Sequence, residues 1–317
     1  MIGCGMAMLQ VAINPLLRVA GGESEFAFNS VLGQMFFGLA SFLSPLVYSY
    51  FVLNLHQEGN GFLLEWLSGV IPANLPWISL YWVFALVSLI MVFIVGLTNF
   101  PSVHLKEDEK VGAVDTHIEL LKKPMVLLYF LGIFCYVGSE QGVANWISQF
   151  LETYHQMDPQ TEGARTVSLF WGLMTAGTLL GLVLLKFMDS RKVLIGFTLA
   201  AMISLAAGLW GTKSIAVVAF PLVGFFASVM WSVIISLALN SVRSHHGSFS
   251  GILVTGIVGG AIVPFLVGWL GDIVGLKTGM LFLFLTLGYI LSIGFWSKPL
   301  INNQFIGSKK EGAKIPS

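Results

Sequence analysis

The run from Lys123 to Glu152, KPMVLLYFLGIFCYVGSEQGVANWISQFLE, limits what this chain can become more than any other stretch. It is almost wholly apolar and long enough to cross a lipid bilayer, which takes about 20 such residues. Backbone polar groups have no water to bond with inside a bilayer, so a lone apolar run of this length is a helix. Well inside it sits a carboxylate, Glu140. An ionisable side chain at that depth costs at least ~2.5 kcal/mol on insertion scales. Such a group is kept where it faces water or binds something.

The run is one of several. Of 317 residues, 56% are hydrophobic and 10% charged, against about 25% charged in a soluble domain. The apolar runs are continuous, which excludes barrel strands alternating over ~10 residues. The sequence predicts nine helical spans, at 2–19, 27–53, 75–98, 124–150, 165–187, 191–210, 215–240, 248–271 and 277–297. Sixteen basic residues balance sixteen acidic ones, which gives no patch for nucleic acid. Cys4 and Cys135 lie in apolar stretches and read as small core residues without a disulfide. Met1 leads straight into GCGMAMLQVAINPLL, with no basic leader or small-residue cleavage site of a signal peptide.

Lysine and arginine set the orientation. With the first residue outside, the inner segments hold Arg18, Lys106, Lys110, Lys122, Lys123, Lys186, Arg191, Lys192, Arg243, Lys298, Lys309, Lys310 and Lys314. The outer ones hold Arg165, Lys213 and Lys277, a bias of thirteen to three. The mixed-charge segment 99–123 reads as a cytoplasmic linker with a short surface helix. It separates a partial N-terminal bundle of three helices (1–98) from a six-helix bundle (124–298) and a cytoplasmic tail (299–317). The outer segment 54–74, NLHQEGNGFLLEWLSGVIPAN, is partly apolar and is expected in the membrane interface.

A weak repeat links the two parts. Asn14 and Arg18 precede a polar turn and a Gly-rich span with Pro45; Asn240 and Arg243 precede SHHGSFSG and a Gly-rich span with Pro264. Parallel halves of this kind are a transporter signature. If the last six spans are one half, the first three match its later part, and the chain reads as lacking three earlier spans.

Glu140 is the one acid placed deep in a predicted span; counted from Lys123 it falls in the outer half of the membrane, about 25 Å up at 1.5 Å per residue. It reads as a proton-titrating or substrate-binding group. Gln141, Asn145 and Gln149 recur every four residues and share a face. Their amides suit a hydroxylated solute, and Trp146 offers a ring on which a sugar can stack. Gln10 and Asn14 repeat the spacing in the first span, and Asn29, Ser30 and Gln34 a similar one in the second. Trp231, Ser232, Ser236 and Asn240 form a polar-aromatic run in the seventh. Amides also hold membrane helices together, so packing is the competing reading for each. Gly177 with Gly181, and Gly256 with Gly260, are GxxxG pairs that mark close helix contacts. All six histidines fall outside the predicted spans. The spans therefore hold no cluster suited to a membrane metalloenzyme, and no nucleophile–base pair is legible.

The stretch SVMWSVIISLALNSVRSHHGSFSGILVTGIVGGAIVPFLVGWLGDIVG (228–275) resembles helices ten and eleven of the fucose:proton symporter family of the major facilitator superfamily. YVGSEQ at 136–141 resembles that family's seventh-helix motif, and MLQVAINP at 8–15 its fourth-helix motif. The loop GLVLLKFMDSRKVL at 181–194 is similar to a degenerate form of the superfamily's cytoplasmic loop motif. The resemblance covers the chain as helices four to twelve. It implies two six-helix bundles around a central cavity, alternating access, and sugar import driven by protons, or by sodium in some relatives. Gln10 falls where fucose permeases carry a functional glutamate, a departure from the pattern. Glu140 matches an acidic position of hexose-transporting relatives. Trp231-Ser232 departs from an aromatic-proline pattern.

These readings converge on an all-α membrane transporter, not an enzyme, that imports a monosaccharide of the fucose or hexose class by proton symport. It is expected as a monomer in the cytoplasmic membrane, with no cofactor beyond the coupling ion. Gln10, Asn14, Asn29, Gln34, Glu140, Gln141, Asn145, Trp146 and Trp231 are the expected sugar contacts. Glu140 is the expected coupling acid, and Asp189, Arg191 and Lys192 the cytoplasmic gate. An exporter of amphipathic compounds and a non-transporting sensor or scaffold remain as alternatives.

Overall fold

Eight helical segments among the described residues are long and apolar enough to cross a membrane, and they stand where the sequence predicts spans two to nine. The computed structural model describes Gly5 and residues 26–57, 61–98, 114–242 and 245–299. The predicted first span lies outside these residues apart from Gly5, and Gln10, Asn14 and Arg18 lie outside with it.

In chain order α1 is Phe26–Asn54, α2 Phe62–Val70, α3 Ser79–Leu97 and α4 Val114–Leu121. The C-terminal helices are α5 Pro124–His155, α6 Ala164–Phe187, α7 Ser190–Trp210, α8 Lys213–Ala227 and α9 Met230–Leu239. They continue as α10 His246–Thr255, α11 Gly259–Val274, α12 Leu276–Met280 and α13 Phe282–Trp296. The short helix expected in the linker is α4.

Helix α5 is longer than predicted. It runs on to His155 and stops where Gln156 turns left-handed, φ 52°, returning its N–H to the carbonyls of Leu151 and Glu152. Glu140 therefore sits midway along α5. His155 belongs to the last helical turn, not to a loop.

Two predicted spans are broken. The seventh divides at Ser228–Val229 into α8 and α9, and the eighth is interrupted by a 3₁₀ turn, Gly256–Val258, between α10 and α11. Both breaks fall at glycine contacts. A Cβ on Gly177 would collide with the Phe225 carbonyl oxygen, and one on Gly181 with the Val229 side chain. At the second break, a Cβ on Gly256 would crowd Ile133 and the Phe130 carbonyl, and one on Gly259 would overlap the Phe134 carbonyl oxygen. The GxxxG pairs thus mark close helix contacts, as their spacing predicts.

Helix α5 is the axis of the last six spans, touching α6, α8, α9, α10, α11 and α13. Its glycines admit these neighbours: a Cβ on Gly142 would stand 2.6 Å from Leu283. Its buried side chains, Tyr129, Ile133, Ile147 and Phe150 among them, join one large core. Helix α1 packs along α6: Phe42 lies over Gly172, and Ser168 Oγ donates to the Phe42 carbonyl at 2.5 Å. Ser49 hydrogen-bonds the Gln160 carbonyl near the end of the same contact.

The contrast between two glycines is testable. At Gly259 an added methyl meets backbone, which cannot yield; at Gly288, in α13, nothing stands within 4 Å. Overpacking a fitted contact costs about 1–3 kcal/mol, whereas Ala in an open helical position gains about 0.5–1 kcal/mol over Gly. Gly259→Ala is expected to lower the midpoint of thermal unfolding in detergent, and Gly288→Ala is not. Equal midpoints would refute the contact.

Candidate functional site

Glu140 lies where α5 passes both broken spans. Tyr136, one turn earlier, donates its hydroxyl to Glu140 Oε2 at 2.5 Å. Gln141 Nε2 donates to Oε1 at 3.0 Å. Both carboxylate oxygens are thus held, yet the residue stays half-buried. On one side the Tyr136 ring stands 6.1 Å from Trp231, at the start of α9. On the other, Gly260 of α11 abuts the Val137 and Gln141 side chains. Irregular backbone flanking a buried polar group is how membrane carriers build midplane sites.

The exposed face of α5, turned away from Glu140, changes character along the helix. In its first half the exposed side chains are Leu127, Leu128 and Leu131; past Glu140 they are Asn145 and Gln149, ahead of the end residues. Gln149 Nε2 reaches Thr153 Oγ1 at 3.3 Å. Helix α9 presents Ser232 and Ser236 on its exposed face, and Asn240 Nδ2 meets Ser236 Oγ at 3.5 Å. The other acids within the eight spans, Glu152, Glu162 and Asp272, all lie in a first or last turn.

The expected contacts are only partly gathered here. Glu140 and Gln141 bond directly, Trp231 stands beside Tyr136, and Asn145 lies exposed one turn past Gln141. Trp146 does not belong. Its indole N–H donates to the Pro264 carbonyl at 3.0 Å, and its ring fills the notch over Gly268, so it serves the contact between α5 and α11 rather than a sugar face. Asn29 and Gln34 fall on α1, with side chains outside the description. Tyr136 was missed. Its signal was the four-residue step to Glu140, which puts two side chains on one face. A separate open cavity of about 540 Å³ lies between α4, α5 and α10; its lining, His117, Leu127 and Ile252 included, contains none of the site residues.

The expected gate residues sit at the linker end. Asp189 caps α7, accepting from the Arg191 N–H at 2.8 Å and from Arg191 Nε at 3.2 Å. Burial alone would push the Asp189 carboxyl up; the hydrogen bonds and charge of Arg191, with the Lys192 N–H, outweigh it and hold the carboxyl below its usual range. Arg191 Nη1 also donates to the Ser297 carbonyl, 3.5 Å away past the end of α13. Beside it the Tyr129 and Ser241 hydroxyls meet at 3.1 Å, and the Tyr129 ring stacks 5.0 Å from Trp296. These contacts tie α5, α7, α9 and α13 together. Lys192 is exposed. At the opposite end Lys213 pairs with Glu162 at 3.5 Å, and Lys277 lies over the Trp210 ring.

A bundle of membrane-length helices with one midway carboxylate between two broken spans is the architecture of a multi-pass membrane carrier. Residues 1–263 match the Major Facilitator Superfamily, and the chain belongs to that family of membrane transporters, not of enzymes. The glucose/galactose transporter of Brucella abortus is 29% identical over 304 residues, 92% of this chain and 69% of that protein. The L-fucose-proton symporter of Escherichia coli K12 is 22% identical over 290 residues, 86% of this chain and 65% of that one. The solved E. coli fucose:proton symporter in its outward conformation superposes with a TM-score of 0.65 at 22% identity, over 93% of this chain and 73% of that chain. An inward-facing bacterial homologue of the human lysosomal transporter Spinster gives 0.59 at 15%, over 89% and 73%. These structural likenesses establish the transporter fold.

Proposed function

We propose that the protein imports a monosaccharide of the hexose or deoxyhexose class together with a proton. One observation carries the reading: among the described residues Glu140 is the only carboxylate far from a span end, and it is half-buried, held by Tyr136 and Gln141, and set between the two broken spans with the Tyr136 ring beside Trp231. A carboxylate accepts hydrogen bonds from sugar hydroxyls when ionised and donates one when protonated, so sugar and proton binding meet at one group. The relatives named as glucose/galactose transporter and L-fucose-proton symporter support the substrate class and the coupling ion.

In this reading Glu140 holds the proton and accepts from the sugar. Gln141 and Asn145 add amide contacts, and Trp231 supplies the apolar ring that Trp146 does not. Gln10, Asn14, Asn29 and Gln34 supply contacts from the first two spans. Segments 1–98 and 124–298 move against each other about the linker, working as a monomer. Asp189 and Arg191 brace the cytoplasmic end of the six-helix bundle, with Lys192 facing the opposing helices. The lysine and arginine bias supports a cytoplasmic linker and C-terminus, with the protein in the inner membrane of the cell.

The test is uptake of labelled glucose, galactose and fucose into vesicles containing the protein, with and without an inward proton gradient. Gradient-stimulated uptake of at least one sugar is expected. Efflux of amphipathic dyes without sugar uptake would replace this reading with export, and neither activity would refute transport.

A further inference from the structure

Helix α2 is nine residues long, about 13 Å at 1.5 Å per residue and far too short to span a bilayer. It lies between two span ends, Asn54 of α1 and Pro76 ahead of α3, on the side opposite the linker. Those two ends fix its depth at the membrane boundary. Its side chains divide into three sectors at about 100° per residue. Leu64, 5% exposed, and Leu67, 1% exposed, pack against Phe51, Leu55 and Ile71 in a small core of their own. Glu65 and Ser68 occupy a second sector, with Ser68 Oγ donating to the Glu65 carbonyl at 2.8 Å. Phe62, Leu63, Trp66 and Val70 fill the third, an arc about 100° wide. Phe62 there is 86% exposed and Trp66 48%.

The third sector continues into the exposed apolar surface of α3. Trp66 meets Trp82 edge to face at 5.8 Å, and Trp77 meets Tyr81 at 5.9 Å. Beyond Trp82 residues 84–97 of α3 are all exposed, with Phe84, Leu86, Val87, Leu89 and Ile90 in its first turns past the aromatic pair. Tryptophan and tyrosine concentrate at the headgroup level, where one end of the ring is apolar and the other wet. A helix with protein on one side, a charge on another and aromatics on the third fits one setting, flat in the interface.

We propose that α2 is an interfacial anchor that lies along the phospholipid surface, with Phe62, Trp66 and Val70 inserted among the headgroup–acyl boundary and Glu65 turned to water. It fastens the loop between α1 and α3 to the outer leaflet and so holds that end of the hairpin at constant depth while the spans tilt. The assignment is independent of the transported solute.

Site-directed spin labelling tests it. Phe62→Cys, Trp66→Cys and Glu65→Cys are each made with Cys4→Ser; Cys135 is buried. Each is labelled in vesicles of phosphatidylcholine and phosphatidylglycerol. Labels at 62 and 66 are expected to collide with oxygen several-fold more than with a water-soluble nickel chelate, and the label at 65 the reverse. Leu67→Cys serves as a packed reference, shielded from both. Ready access of the nickel chelate at 62 and 66 would overturn the anchor. So would shielding from both reagents there, which means cover by protein, or spin–spin broadening at 62, which means a second copy of the chain. Monodisperse elution of each labelled variant shows that folding is retained.

Discussion

Glu140→Gln is expected to abolish proton-driven sugar accumulation while leaving passive sugar exchange measurable. The amide keeps the size of the carboxyl, and its oxygen still accepts from Tyr136, while the contact with Gln141 is kept by that side chain turning its own amide oxygen toward the new NH2. It cannot gain or lose the proton. For a carrier moving one proton per sugar, an inward gradient of one pH unit supports about tenfold accumulation, since one unit is about 1.4 kcal/mol. In the variant the internal and external sugar concentrations should level out under the same gradient. Counterflow, preloaded unlabelled sugar exchanging for labelled sugar outside, reports sugar passage without coupling and should persist. Accumulation at the normal level would remove Glu140 from coupling. Loss of counterflow with full sugar binding would make it part of the moving gate instead.

Span positions were legible because the physics is one-dimensional: a bilayer admits only self-satisfied helices, so length and apolarity locate them. The predicted 191–210 and 277–297 differ from the observed Ser190–Trp210 and Leu276–Trp296 by a residue at most ends. The glycine pairs were legible too, since missing side chains leave few roles besides close approach. The breaks at Ser228–Val229 and Gly256–Val258 were not, because each depends on the helix that presses against it. Gly256 alone does not say that the Phe130 carbonyl stands above it. The same limit misled the reading of Trp146. Its place in the row after Asn145 suggested a sugar face, but Gly268, 122 residues on, opens a slot for its ring. Tyr136 was the opposite failure. The four-residue step to Glu140 was on the page, but an aromatic residue in an apolar run reads first as packing, and only geometry gives its hydroxyl an acceptor.

That hydroxyl leads to the second large effect. Tyr136→Phe keeps the ring that faces Trp231 and removes only the donor to Glu140 Oε2. A hydrogen bond to a charged group contributes about 1.5–3 kcal/mol, roughly a 10- to 150-fold change in an equilibrium constant. With the donor gone, Gln141 alone fixes the carboxylate, from Oε1, and Oε2 is free to swing away from the sugar position. The KM for sugar is expected to rise at least tenfold in counterflow, while the unfolding midpoint falls only by what the lost hydrogen bond contributes, because the buried ring surface is retained. Trp231→Ala separates orientation from packing: it removes the ring face without touching the carboxylate, so its KM effect should come with a lower unfolding midpoint. If Tyr136→Phe lowers the midpoint and leaves KM alone, Tyr136 is a structural tyrosine that happens to touch an acid. If KM rises with a fall in the midpoint smaller than that of Trp231→Ala, the pair acts as one device, the tyrosine aiming the group that receives both the proton and the sugar.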